Sequence, residues 1–231
     1  MNPPRPNGSA ILKRKVPTRR LNKRKISTSR QNKKLATNKL TRTQFRLLGF
    51  LPLAFFTAQA IHYWQINQLG QMLWMCNIGN LLLALGLFFE QALLIRVAVI
   101  WTVPGLAIWF VYVLPTWGLL LSSTLVHVGG ICVGLIAIRN VGMDRRAWFY
   151  AFIWYFVVQL LSRLVTPAAM NVNVSNNIQA GWEQTFSSYW KFWLVLTILV
   201  GICLWAIGLM LRSFWPPTTA ASVENVPTPW S

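Results

Sequence analysis

Acidic side chains are almost missing from this chain. Four Asp and Glu stand against 22 Lys and Arg in 231 residues, a formal net charge of +18. Charged residues of both signs make up only 11% of the sequence, where a soluble domain averages about 25%. No carboxylate falls inside a long apolar run, which argues against a proton relay or ion-coupled pump, whose pathways need acids at mid-membrane depth. Two His and three separated Cys supply neither a zinc set nor a haem pair, so no metal and no cofactor is expected. Gly-rich phosphate loops and Ser-nucleophile elbows are missing too, and no stretch alternates polar and apolar as a strand does.

What is there is hydrophobicity: 55% of residues are apolar and 13% aromatic. Six apolar segments stand out, at about 47–64, 72–89, 92–114, 117–138, 147–165 and 192–211. Each reaches spanning length, for which a helix needs about 20 residues. The joints at Glu90-Gln91 and Pro115-Thr116 are so short that consecutive helices must be antiparallel neighbours. Pro104-Gly105, inside the third segment, predicts a kink. The expected fold class is all-α, a multi-pass membrane protein built as a six-helix transmembrane bundle.

The positive charge is localised. Residues 1–46 hold 15 of the 22 basic groups and none of the acids, so the rest of the chain is close to neutral. This divides the chain into a disordered basic tail over 1–46, a membrane domain over 47–214 and a flexible C-terminal tail over 215–231. The N-terminal stretch is no secretory signal, having no apolar core, though its Arg- and Ser-rich, acid-free composition leaves an organelle transit peptide open. As a topology determinant it would touch anionic lipid headgroups, and membrane lipids are the expected partners. It has no aromatic interleaving, so no specific nucleic acid is expected, and nothing in the sequence names a protein partner.

Positive charge on the inner side places both termini in the cytoplasm. The loop Arg139 to Arg146, with three Arg, lies on the same side, and the loop Thr166 to Tyr189, without Lys or Arg, lies on the other. The expected location is a bacterial inner or plasma membrane, or a thylakoid-like one.

With depth assigned this way, a few polar residues become candidates. Cys76, Asn77 and Asn80 lie on one side of the second span, and buried amides there must face other helices rather than lipid. His127 falls near the middle of the fourth span, on the same side as Ser123, Gly130 and Gly134, a small-residue face that admits a close helix. Arg163, Asn171 and Asn173 belong to the opposite half from the Arg139 to Arg146 loop, as candidates for binding. Glu90 and Arg96 sit together at the cytoplasmic side, where six residues of separation allow only a loose pair. Asn173-Val174-Ser175 also fits a glycosylation sequon. Each candidate has a plainer reading. Cys132 and Cys203 are packing residues, and Cys76 taken alone reads the same way. Asn77 and Asn80 can be interhelical hydrogen-bonding groups, Arg163 can snorkel to the interface, and His127 can be a structural hydrogen bond or a working base.

Cys76-Asn77, His127, the loop Gly142-Met143-Asp144-Arg145-Arg146-Ala147 and Asn171-Val172-Asn173-Val174 together resemble a family of bacterial integral membrane proteins, over residues 60–180. More distantly, the plan is similar to six-span membrane acyltransferases and lipid hydrolases related to the androgen-induced protein. That resemblance implies an intramembrane nucleophile–base pair, with Cys76 as nucleophile and His127 as base. No acid is present to orient the His, so an amide such as Asn77 or Asn80 would serve. Such a pair would make the chain a lipid acyl transferase or hydrolase. The competing class is a non-enzymatic scaffold, assembly factor or small-molecule carrier.

The topology is open to direct measurement. Reporter fusions or cysteine accessibility should place residues 1–46, the Arg139 to Arg146 loop and the C-terminus on one side. The Thr166 to Tyr189 loop should report from the other, and a cytoplasmic signal from it would sink the six-span arrangement.

Overall fold

The computed structural model describes residues 40–217. Residues 1–39 and 218–231 lie outside the described residues, and most of the two expected tails goes with them. Six helices follow in order: α1 (Arg42–Gln65), α2 (Met75–Phe88), α3 (Ala92–Thr116), α4 (Leu121–Val141), α5 (Ala147–Val165) and α6 (Tyr189–Phe214). No strand occurs among the described residues. Five of the helices are long and apolar enough to cross a membrane.

The exception is α2, where the sequence predicts a span over 72–89. Its 14 residues rise only about 21 Å, short of a hydrocarbon core of about 30 Å. Met72 and Leu73 instead belong to a 3-10 turn over Leu69–Leu73, and Trp74 turns the backbone out of helical geometry at ψ 137°. A second difference lies at the tail boundary. Arg42 to Arg46 start α1, because Thr41 and Gln44 form a reciprocal capping box that satisfies the first N–H groups of the helix.

At the centre lies α3, packed against α2, α4, α5 and α6. Ile95, Ala98, Val99 and Ile100 are fully buried there. Gly86 lets α2 approach so closely that a Cβ on it would stand 2.8 Å from Ile95 Cγ1 and 2.9 Å from the Ile95 nitrogen. Trp101 crosses from α3 to α5, donating from Nε1 to the Ala151 carbonyl at 3.1 Å. The outer surface is apolar instead of charged: Leu160, Leu164, Leu194, Ile198 and Ile202 are each more than half exposed. A water-facing surface would not carry so continuous an apolar belt; helices with this exposure are built to face lipid.

At the end of the bundle that carries the Gly142 to Arg146 loop, the polar groups are paired. Arg42 Nε lies 2.7 Å from Glu90 Oε1, and Arg46 binds the same oxygen. The loose Glu90–Arg96 pair expected from the sequence is not formed. Arg96 turns to α4 and donates to the Gly142 and Val141 carbonyls at 2.8 and 3.1 Å, where the negative end of the helix dipole favours a cation. Gly142 ends α4 at φ 67° and ψ 159°, a combination open essentially to glycine alone. Next to it, Met143 is fully buried and its N–H bonds the Trp215 carbonyl at 2.7 Å, which ties the loop to the end of α6.

The two arrangements should respond differently to substitution. Arg96→Met strips charge-assisted bonds from two helix-end carbonyls, each worth about 1.5–3 kcal/mol, and should lower the thermal midpoint in detergent clearly. Glu90→Gln should lower it less. The Arg42 hydrogen bond, helped by Arg46, holds the Glu90 carboxyl below its ordinary range. Its contribution is therefore present at neutral pH and lost as the pH falls through that lowered value. The gap between Glu90→Gln and the parent protein should close on acidification and at high salt.

Candidate functional site

Cys76 is the second residue of α2 and His127 lies a third of the way along α4. Between them stands Gly105 of α3, directly after the helix-internal Pro104. A Cβ built on Gly105 would sit 3.5 Å from Cys76 Cβ and 3.9 Å from His127 Cδ2, so those two atoms are at most about 7.4 Å apart. Three helices thus converge on one point, and the missing Gly105 side chain leaves the space between thiol and imidazole open. Both Cys76 and His127 are half-buried.

The imidazole is held in one orientation. His127 Nδ1 lies 2.8 Å from the Ser123 carbonyl. A carbonyl only accepts, which assigns the proton to Nδ1 and leaves Nε2 with its lone pair. Cδ2, the carbon bonded to Nε2, is the atom facing Gly105. The ring stacks on Trp109 of α3, with centroids 5.7 Å apart and planes 18° from parallel. Trp109 in turn donates from Nε1 to Ser123 Oγ at 3.0 Å. Ser123 therefore fixes both rings, one through its carbonyl and one through its hydroxyl.

Both helices depart from α geometry here. Trp109–Val113 and Leu125–Gly129 are π-helical turns, a wider winding often found at functional sites. In the second, the Gly130 N–H reaches back five residues to the Leu125 carbonyl. The Val126 carbonyl is taken over by α2, where Asn80 Nδ2 donates to it at 3.0 Å and to the Cys76 carbonyl at 2.9 Å. Asn80 lies so close that a Cβ on Gly130 would be 2.7 Å from its Oδ1. Both amide protons are spent, so Asn80 neither orients His127 nor has a donor left for a substrate oxygen. Asn77 is also buried and donates to the Gln71 carbonyl at 3.0 Å.

Arg163, Asn171 and Asn173 lie apart from this cluster. Asn173, at φ 53° and ψ 23°, joins the loop after α5 to the start of α2. Its Oδ1 accepts the Met75 N–H at 3.1 Å, and its Nδ2 donates to the Leu73 carbonyl at 2.7 Å and to Ser162 Oγ at 2.9 Å. Its side-chain amide is consumed by these bonds in the folded protein. Asn171 organises the same loop, its Oδ1 accepting the Asn176 and Asn177 N–H groups at 3.1 and 2.9 Å. Arg163 lines a groove of about 480 Å³ between α5 and α6.

Several neighbours of Cys76 and His127 carried no distinct sequence signal. In the sequence Trp109 is one apolar residue among many, and Gly105 is half of a predicted kink. On α1, Tyr63 lies within electrostatic range of Cys76, and Gln59 is buried with no hydrogen-bond partner for its side-chain oxygen.

The Asn80 bridge predicts a coupled pair. Asn80→Ala leaves the Val126 carbonyl without its donor, and Gly130→Ala drives a methyl into the pinned amide. Each should cost about 1–3 kcal/mol. The double variant should cost less than the two combined, because the added methyl then meets a truncated side chain; additive losses in a denaturation series would refute the bridge. No family model, curated protein or solved structure is matched by this chain.

Proposed function

We propose that this chain is an integral membrane enzyme that cleaves or transfers a lipid acyl ester, with Cys76 as nucleophile and His127 as base. The observation that carries the reading is the convergence of thiol and imidazole on the bare backbone of Gly105. In the first step His127 Nε2 takes the Cys76 proton as sulfur attacks the ester carbonyl. The tetrahedral intermediate collapses to a thioester, and the leaving alcohol takes the proton from His127. Water or a second alcohol then attacks the thioester with His127 again as base, which frees the acid or the new ester and returns the proton to sulfur.

The tautomer assigned by Ser123 supports this role, since a base needs a nitrogen whose lone pair is free. With the Asn80 donors spent, Tyr63 is the hydroxyl we assign to the developing oxyanion, where one good donor contributes about 3 kcal/mol. The ester would enter laterally from the bilayer. The resemblance to six-span membrane acyltransferases and lipid hydrolases points to the same chemistry. We place the arginine-rich end, with Arg42, Arg139, Arg145, Arg146 and Arg212, in the cytoplasm, following the positive-inside rule. The Cys76 end then faces the opposite leaflet.

Gly105→Ala is the sharpest test. A methyl there makes ordinary van der Waals contacts with Cys76 and His127, and Ala is the better helix former by about 1 kcal/mol. The variant should be as thermostable as the parent yet lose acyl turnover, because the gap between nucleophile and base is filled. Cys76→Ala and His127→Ala should each abolish turnover in a comparison of cellular lipids, and their double variant should be no worse than either. Unchanged lipids in all four strains would pass the lead to the scaffold or carrier reading.

A further inference from the structure

The groove between α5 and α6 holds a cation with no acid to neutralise it. Arg163 sits in the last turn of α5. Among the described residues the only ion pairs are those of Arg42 and Arg46 with Glu90, at the other end of the bundle. In the loop over 166–188 the one acid is Glu183, and its carboxylate accepts the Gly181 N–H at 2.8 Å. Of the five N–H donors of a guanidinium, one makes a long bond of 3.4 Å to the Ser175 carbonyl. The plane is set by two rings, with its carbon 5.4 Å from the Tyr189 centroid and 5.2 Å from that of Trp190. Arg163 is itself exposed, so the fork is oriented and its remaining donors are open.

The walls say what the cation faces. Phe156, Leu160 and Arg163 share one face of α5, at spacings of four and three residues, and Trp190 and Trp193 line the opposite wall on α6. The groove therefore starts at Arg163 and runs about 10 Å deeper into the apolar region. Its polar floor is satisfied within itself: Trp193 Nε1 donates to Gln159 Oε1 at 2.8 Å, and Gln159 Nε2 donates to the Tyr155 hydroxyl at 2.9 Å. α6 begins at Tyr189, and the positive end of this 26-residue helix lies beside the negative end of α5, so the net field at the mouth comes from Arg163 itself. A basic mouth flanked by Tyr and Trp, above an apolar channel open on its outer side, matches a molecule with an anionic head and a hydrocarbon tail.

We infer that this groove binds an anionic membrane lipid, its phosphate on Arg163 and the start of one acyl chain between Leu160, Phe156 and Trp193. The volume of about 480 Å³ falls in the range of about 300–1,000 Å³ usual for small-ligand sites. Arg suits the task because its planar fork meets phosphate oxygens two at a time. The site is separate from Cys76 and His127 and stands whether or not those residues are catalytic.

The test uses the full chain in phosphatidylcholine nanodiscs doped with a lipid carrying a photoactivatable acyl chain. A phosphatidylglycerol probe should label residues 156–163 and 189–193 roughly tenfold more than a phosphatidylcholine probe, the discrimination expected of one charge-assisted contact. Arg163→Gln should reduce the phosphatidylglycerol signal to the phosphatidylcholine level, and Arg163→Lys, which keeps the charge but not the fork, should fall between the two. Unlabelled phosphatidylglycerol should compete on the parent protein, and excess inorganic phosphate should not. Equal labelling by the two probes, or labelling unchanged in Arg163→Gln, would overturn the proposal. Displacement by inorganic phosphate would also overturn it, by making this a soluble-anion site. Should Arg163→Gln fail to fold, the competition on the parent protein decides alone, and failure of unlabelled phosphatidylglycerol to compete counts against the site.

Discussion

Backbone groups inside a bilayer have no water to turn to, and that constraint organises this molecule. At three places where a helix breaks from regular winding or comes to an end, a side chain from a distant element takes over exposed groups. Asn80 serves the Val126 carbonyl beside the π-helical turn of α4. Arg96 serves the last carbonyls of the same helix. Asn173 serves the carbonyl before α2 and the first N–H of α2 at once. These bonds run between elements far apart in sequence, so they fix the packing as well as satisfying the backbone. The small residues let them reach: Gly130 makes room for the Asn80 amide, and Gly86 brings α2 against α3.

The same constraint decides which polar residues remain for chemistry. An amide whose protons are committed to carbonyls has no donor to offer a substrate, which moves Asn80 and Asn173 from the candidate site into the framework. What remains near Gly105 is a thiol and an imidazole oriented from behind by a carbonyl. In the proposed reaction, the Ser123 carbonyl would take the place that a carboxylate holds in a soluble hydrolase. It fixes the tautomer without placing a charge in the apolar region, where an unpaired carboxylate would be expensive.

Much of the fold was legible in the sequence. Hydrophobic length and the short joints at Glu90-Gln91 and Pro115-Thr116 specify six helices in antiparallel order, with α5 matching its predicted bounds. Other boundaries moved: the fourth helix runs over Leu121–Val141 instead of 117–138 and the sixth over Tyr189–Phe214 instead of 192–211, and two further shifts have local reasons. Composition assigned Arg42 to Arg46 to the tail, but a Thr41–Gln44 capping box and Glu90 draw them into α1. Hydrophobicity ran on through Met72 and Leu73, but it cannot register the turn at Trp74 or the remote Asn173 that caps α2. The candidate site was legible in part. A His beside Ser123 and Gly130 on one face foretells a helix contact, whereas π-helical turns carry no periodic signature and Gly105 is defined only by what approaches it. The Arg96 partner was not legible either, because spacing along one helix is silent about the end of another.

Cys76 and Arg163 belong to the same end of the bundle, and one residue stands between their surroundings. Asn173 donates to Ser162, the neighbour of Arg163, and accepts from Met75, the neighbour of Cys76. Its carbonyl also takes Gln159 Nε2, at the long distance of 3.5 Å, from the floor of the α5–α6 groove. The residue is buried and its backbone is held at positive φ beside Val174, a β-branched residue also at positive φ. Such a conformation persists only where its surroundings over-determine it, and here they include the Tyr189 hydroxyl on the Val174 and Ser175 carbonyls. A shift of the α5 end large enough to disturb Ser162 must therefore be absorbed at Met75 or break a buried hydrogen bond. Asn173 thus links the groove to the start of α2, beside the packing of Thr166 and Met170 on Gly70.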